Sequence, residues 1–176
     1  MRFAARLTGL AGALGLSLAA GPAAAVDPLD ADPPSATQLL SWVRTNIGVT
    51  GWAFAGGNID QKRAMFVYLG LFDDAGYPDL IRVWVRGERY VPRWDSNSYM
   101  VRTEINCRTP QSRQLQGIYY KDNNLGGEVV YRLDQMPEYQ WSEPMPMSSG
   151  EAIIGTACAV AAARRGAPLM LPIQQP

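Results

Sequence analysis

The chain contains no histidine, which removes Ser-His-Asp and Cys-His nucleophilic catalysis and imidazole zinc sites together. Cys107 and Cys158 are its two thiols. A thiol nucleophile or metal ligand would need one of them free, whereas in an exported chain such a pair is more simply a disulfide. Carboxylates are what remain for catalysis. Two acids facing each other across a cleft can hydrolyse a glycosidic bond, and Asp73, Asp74, Asp79, Asp95 and Glu104 are the candidates. Most of the aspartates fall in turn-like stretches, where Asp serves backbone hydrogen bonding. Glu104 alternates with Arg102, which favours a cross-strand ion pair. The run Asp73 to Asp79 lacks the alternate acids and closing glutamate of a calcium loop. Gly56-Gly57-Asn58 is not followed by the Lys-Ser or Lys-Thr helix of a phosphate loop. No cofactor or metal is expected, and a carboxylate-based hydrolase is the least favoured reading.

A recognition surface is the stronger candidate. Arg82, Trp84 and Arg86 share one face of a strand pattern, and Met100 and Arg102 share a face of the next. If the two strands pair in register, guanidinium and aromatic groups form one patch, and these are the residue types that dominate binding hot spots. The competing reading buries Trp84 beneath an N-terminal helix or the tail, with both arginines reaching over it to water. Tyr119, Tyr120, Tyr131 and Trp141 suggest a second apolar groove, although aromatic clusters on a sheet more often belong to a core.

Such a patch needs a sheet to carry it and a compartment to work in. Residues 1–25 have the three parts of a cleaved secretory signal: Arg2 and Arg6, an apolar run from Leu7 to Ala20, and Ala23-Ala24-Ala25. The apolar run is too short and too rich in Gly and Ala for a membrane span, and no second one follows. The remaining chain of about 150 residues is the size of one domain. It carries fourteen basic and sixteen acidic residues, a formal −2, so nothing in its charge calls for nucleic acid or an anionic membrane as partner.

Residues 26–34 are acidic and Pro-rich and are expected to be a disordered linker. Ser35 with Gln38 forms a capping-box signature, and Leu39, Leu40, Trp42, Val43 and Ile47 recur at helical spacing, which predicts a helix within 35–48. Strand patterns follow from Trp52 onward. Ala64 to Phe72 is apolar throughout and asks for cover on both faces. Leu80 to Arg86 and Ser98 to Cys107 alternate with period two, and Gly87-Glu88 and Pro92 are expected to interrupt the stretch between them. Gln114 to Tyr120 and Glu128 to Leu133 form a hairpin around a turn at 121–127. Residues 136–147 read as an extended connector pinned by its aromatics. Ser148 to Ala163, with Ser148 as cap and Ile153, Ile154, Ala157, Cys158 and Ala161 on one side, predicts a final helix, and 166–176 a tail. Cys107 shares a face with Tyr99, Val101, Thr103 and Ile105, so a helix docked there brings Cys158 to it. Six or so consecutive strands with short links predict an α+β fold: an antiparallel meander, a C-terminal helix stapled across one face and a short N-terminal helix.

Several of these residues carry a resemblance. Trp52 near the domain start, Ile105-Asn106-Cys107-Arg108 closing a strand, a Gly-containing hairpin, Trp141 followed by Pro144 and Ser148-Ser149, and a final helix bearing Cys158 resemble the surface-adhesin protein E family of Gram-negative bacteria. The resemblance covers residues 51–163, with the domain placed at 49–165. It implies a six-stranded antiparallel sheet, a helix clamped by the disulfide, and adhesion or binding of a protein partner at the cell envelope or host matrix. Two alternatives stand beside it: a periplasmic structural or assembly partner, dimeric through Ala64 to Phe72, and the carboxylate hydrolase.

Overall fold

The computed structural model describes residues 32–70, 73–74, 79–135 and 140–166. The expected export signal, most of the expected linker and the expected tail beyond Gly166 lie outside the described residues. Helix α1 (Ala36–Asn46) starts at the expected capping box. Ser35 Oγ accepts from the Gln38 backbone N–H at 3.2 Å, and Gln38 Oε1 accepts from the Ser35 N–H at 2.8 Å, so two backbone donors that the helix cannot satisfy are bonded reciprocally.

Strands β1 (Trp52–Asn58), β2 (Arg63–Tyr68), β3 (Asp73–Asp74), β4 (Leu80–Arg93), β5 (Ser96–Asn106), β6 (Gln111–Tyr120) and β7 (Val129–Leu133) form one antiparallel sheet. Its order is β1-β2-β4-β5-β6-β7, with the two-residue β3 paired to β4. Helix α2 (Ser149–Arg164) completes the chain of elements, and Ser148 Oγ accepts from the Glu151 N–H at its start. The α+β meander is thus as the sequence predicts, with β3 an addition where a plain loop is expected.

Each face of the sheet has its own helix. On one, Ile154, Ala157 and Ala161 of α2 form a single stripe against Met65, Val67, Ile81, Val83, Val85, Val101 and Ile105. Cys107 and Cys158 are joined there as a disulfide, with Cα atoms 5.7 Å apart. On the other, Val43 of α1 and its C-cap Ile47 pack on Ala64 and Phe66, flanked by Trp42 and Trp52. Strand β2 therefore has the cover on both sides that its apolar run requires. Its second face is covered by α1, and β2 lies between β1 and β4 with no free edge.

Strand β4 continues as one element through Gly87-Glu88 to Arg93, and the interruption expected there, a turn or a bulge, takes the form of a shift in its register with β5 between Glu88 and Arg93. Gly87 is needed within the strand because Tyr99, its partner on β5, lies across it; a Cβ at position 87 would fall within the Tyr99 ring. Pro92 is tolerated because β4 outruns β2, whose pairing ends at Arg63↔Arg89, so the missing N–H breaks no ladder bond there.

Candidate functional site

The register brings the predicted patch together. Arg82 lies opposite Glu104, Trp84 opposite Arg102, and Arg86 opposite Met100, all on the α1 side of the sheet. Helix α1 packs chiefly on β1 and β2 and reaches β4 where Trp42 meets Tyr90, with ring centroids 5.5 Å apart; Trp84 is not part of the cluster it forms. Trp84, Met100 and Arg102 are half-buried. Arg82 Nε donates to Glu104 Oε1 at 2.9 Å, and Arg113 Nε donates to Oε2 at 2.6 Å. Glu104 is 2 % exposed and makes the expected cross-strand ion pair, with both its oxygens bonded to arginines. Arg113 in turn lies over Trp141, 4.9 Å from the ring centroid, and the connector is held by mutual backbone bonds between Ser142 and Ser112. Tyr139 lies outside the described residues.

Arg86 does not belong to the open part of this patch. It is 3 % exposed and is fully engaged. Its Nε donates to Glu88 Oε1 at 2.5 Å, Nη1 to the Gly48 carbonyl at 2.9 Å and Nη2 to Asn124 Oδ1 at 3.0 Å. The guanidinium stands over Trp52 and Phe66 at 5.4 and 5.5 Å. Alternation along β4 placed Arg86 on the right face, but the chain that follows α1 sits over that end of it. Glu88, wholly buried, also accepts from Asn123 Nδ2 at 2.8 Å and the Asn124 N–H at 3.1 Å. Asn124 Nδ2 donates to the Asn46 carbonyl at 2.9 Å, so the β6–β7 turn closes over the end of α1.

Of the carboxylates named for hydrolysis, Asp79, Asp95 and Glu104 lie at separate places around the sheet. Asp79 precedes β4 and pairs with Arg108, Asp95 follows β4 at its far end, and Glu104 is bonded as above. The side chains of Asp73 and Asp74 lie outside the described residues. Among the described residues no cluster of Cys, Asp and Glu has the form of a metal site.

A second site lies on the α2 side, beyond the end of the helix's cover. The β4–β5 connection is the two-residue turn Trp94-Asp95, with φ of 54° at both. That is the backbone of a type I′ hairpin, made here without the usual Asn or Gly. It lifts Trp94 into solvent, 71 % exposed. Behind it is a cavity of about 350 Å³ lined by Arg63, Arg89, Arg93, Trp94, Tyr99 and Tyr119 among others. An adjoining hollow of about 240 Å³ is lined by Trp94, Ser96, Tyr119 and Tyr131.

Cross-strand pairing sets this arrangement. Tyr99, Tyr119 and Tyr131 occupy one row over β5, β6 and β7, with successive ring centroids 5.5 and 5.8 Å apart. Arg63 and Arg89 face each other directly across β2 and β4. Arg63 Nη1 donates to Tyr99 Oη at 3.0 Å, while its buried Nε has no hydrogen-bond partner. Arg89, 8 % exposed, donates from Nη1 to the carbonyls of Arg93 and Ser96 at 2.5 and 2.9 Å. Burial pushes the Arg89 pKa down from its ordinary value; Arg93 and Arg63 add to the shift, and Tyr99 and Tyr119 oppose it. Of the four aromatics read as a possible groove, Tyr119 and Tyr131 are here. Tyr120 and Trp141 are on the opposite face, Tyr120 with its hydroxyl 3.8 Å from Met100 Sδ. Sequence reasoning missed Arg63, Arg89, Arg93 and Trp94. The signal available was the Trp-Asp-Ser-Asn run at 94–97, a turn in mid-pattern that would have fixed the β4–β5 register.

Among the described residues no helix is long and apolar enough to cross a membrane. No curated protein matches this sequence. The fold is similar to the crystal structure of protein E from non-typeable Haemophilus influenzae, at 15 % identity and a TM-score of 0.44, over 69 % of this chain and 92 % of that one. The family model of surface-adhesin protein E matches residues 60–159, from the β1–β2 turn to α2 and including both cysteines. The chain belongs to the surface-adhesin protein E family.

Proposed function

We propose that this protein is an exported, non-enzymatic binding module that recognises a protein partner at the cell envelope or host matrix. In this reading the signal at residues 1–25 is cleaved and the mature chain stands in the periplasm or at the cell surface. The contact surface is Arg82, Trp84, Met100 and Arg102, with Arg86 as an internal support. The observation that carries the reading is the pairing of Trp84 with Arg102 on a sheet face, outside the cluster that α1 forms there. A half-buried aromatic beside guanidinium and thioether groups has the composition of a hot spot: its area is largely prepaid in rigidity, and it gains by losing its remaining water. Family membership supports the same class of role.

The test is binding of immobilised host matrix proteins by the purified mature protein, together with accessibility labelling on intact cells. Trp84→Ala and Arg102→Ala should each weaken capture by about tenfold or more, the loss of one hot-spot residue, with unchanged melting temperature. Failure of labelling and of capture together would leave the structural, periplasmic reading in place of adhesion.

A further inference from the structure

Arg63, Arg89 and Arg93 converge on one cavity, and none of them pairs with a carboxylate among the described residues. Like charges directly opposite on paired strands destabilise a sheet, and Arg63 and Arg89 stand in that relation. The partners they do have are carbonyls, a phenol and aromatic faces, which hold the guanidiniums in place without neutralising them. Asp60 also lines the cavity but is paired with none of the three; a fixed cluster with this excess of positive charge in a concave site is complementary to an oxyanion, and the planar guanidinium fork suits carboxylate or sulfate.

The rest of the groove narrows the class. Beside the cationic end lie the rings of Tyr119, Tyr131 and Trp94, flat apolar faces on which the C–H face of a sugar ring can stack. At the rim the side chains of Asp60, Gln61 and Gln114 supply acceptors and donors for hydroxyl groups. An extended peptide is less well served. Tyr99, Val101 and Tyr119 at the floor belong to interior strands paired on both sides, which offer no main-chain pairing of the kind that holds a peptide strand; only β4 beyond Arg89 and the outer edge of β7 leave backbone groups outside the ladder. The volumes, about 350 and 240 Å³, suit a ligand of a few rings. We propose that this groove binds an acidic saccharide, its carboxylate or sulfate held by Arg63, Arg89 and Arg93 and its rings lying on Trp94, Tyr119 and Tyr131. The site is on the opposite face from the protein-contact surface proposed above, so each can fail without the other.

The experiment measures binding to the mature protein by calorimetry and by tryptophan fluorescence. The probes are trigalacturonic acid, a heparin-derived tetrasaccharide, neutral maltotriose, and a short Glu- and Tyr-containing peptide. The first two separate a carboxylate ligand from a sulfated one. One or both acids should bind, more weakly as salt is raised. Arg63→Gln and Arg93→Gln should each reduce affinity by about tenfold, and Arg44→Gln, exposed on α1 across the sheet, should leave it unchanged. Arg93 is exposed, and it bonds to Arg89 through its carbonyl rather than its side chain. Arg93→Gln therefore keeps the test valid if Arg63→Gln does not fold. The proposal is overturned if neither acid binds, if maltotriose or the peptide binds as well as they do, or if affinity ignores Arg93.

Discussion

Glu88 shows how a single residue can hold several elements at once. Its carboxylate has no exposed surface, yet it receives Arg86, the Asn123 amide and the Asn124 backbone N–H. Removing its charge leaves the Arg86 guanidinium buried without its counterion, so Glu88→Gln is expected to cost about 3–5 kcal/mol. The joint replacement Arg86→Met with Glu88→Leu should recover much of that loss, because neither charge then has to be desolvated. Urea midpoints of the three proteins check this; equal losses in the single and double variants would mean that the wider Asn123–Asn124 network, not the ion pair, carries the energy. Sequence periodicity places Arg86 on its face but expects an interruption at Gly87-Glu88, so it does not pair the two. It does not show that the Lys121–Glu128 turn folds back over them, because that contact spans more than thirty positions.

Among the elements, α2 is the one whose attachment is covalent. Its packing stripe is built largely from alanine, with Ile154 the one large buried side chain, so it buries less apolar area than a Leu-rich helix would. The disulfide offsets this by constraining the unfolded chain. For a sequence separation of 51 the chain-entropy model gives about 4 kcal/mol, an upper figure. Replacing both cysteines by alanine should lower stability by about 2–4 kcal/mol, and reductant should reproduce the shift in the parent and not in the variant. Thermal melts with and without dithiothreitol measure both. If the double variant melted with the parent, packing alone would be holding α2. This element was legible in advance from the Ser148 cap, the apolar spacing and the phase of Cys107, all of them local signals.

Over the whole molecule, the two helices leave different parts of the sheet open. Helix α1 precedes the family match at 60–159, but it is not an appendage. Its Leu39 and Val43 and its C-cap Ile47 are buried, and Phe66 beneath it has no exposed surface. A chain starting at residue 49 would expose Phe66 and Arg86 together. Such a truncation should lose on the order of 5 kcal/mol, from three buried aliphatic side chains at about 1.5–3 kcal/mol each, less what the helix costs to order. It should also bind a hydrophobic dye that the full mature chain does not. Unchanged stability would show that α1 is dispensable to the sheet. With α1 in place on the β1–β2 side, self-association through β2 is not expected, and light scattering at high concentration checks that directly.

The sequence by itself determined both helices, the order of the main strands, the antiparallel meander, the disulfide and the family, because each of these is written in local periodicity, in caps and turns, or in two cysteines with one possible pairing; β3 and the far half of β4 were not among them. It also put Arg82 and Trp84 on one face of their strand and Met100 and Arg102 on one face of the next, and the β4–β5 register joined the two. Only the tertiary structure decided how open that face is, moving Arg86 from the surface to the interior. Only the tertiary structure assembled the Arg63–Arg89–Arg93 groove. Its residues come from different strands and are made neighbours by the β2–β4 register and a turn whose positive φ angles fall on Trp94 and Asp95. Burial and proximity are properties of pairs far apart in the chain, and a period of two says which way a side chain points without saying what it meets there.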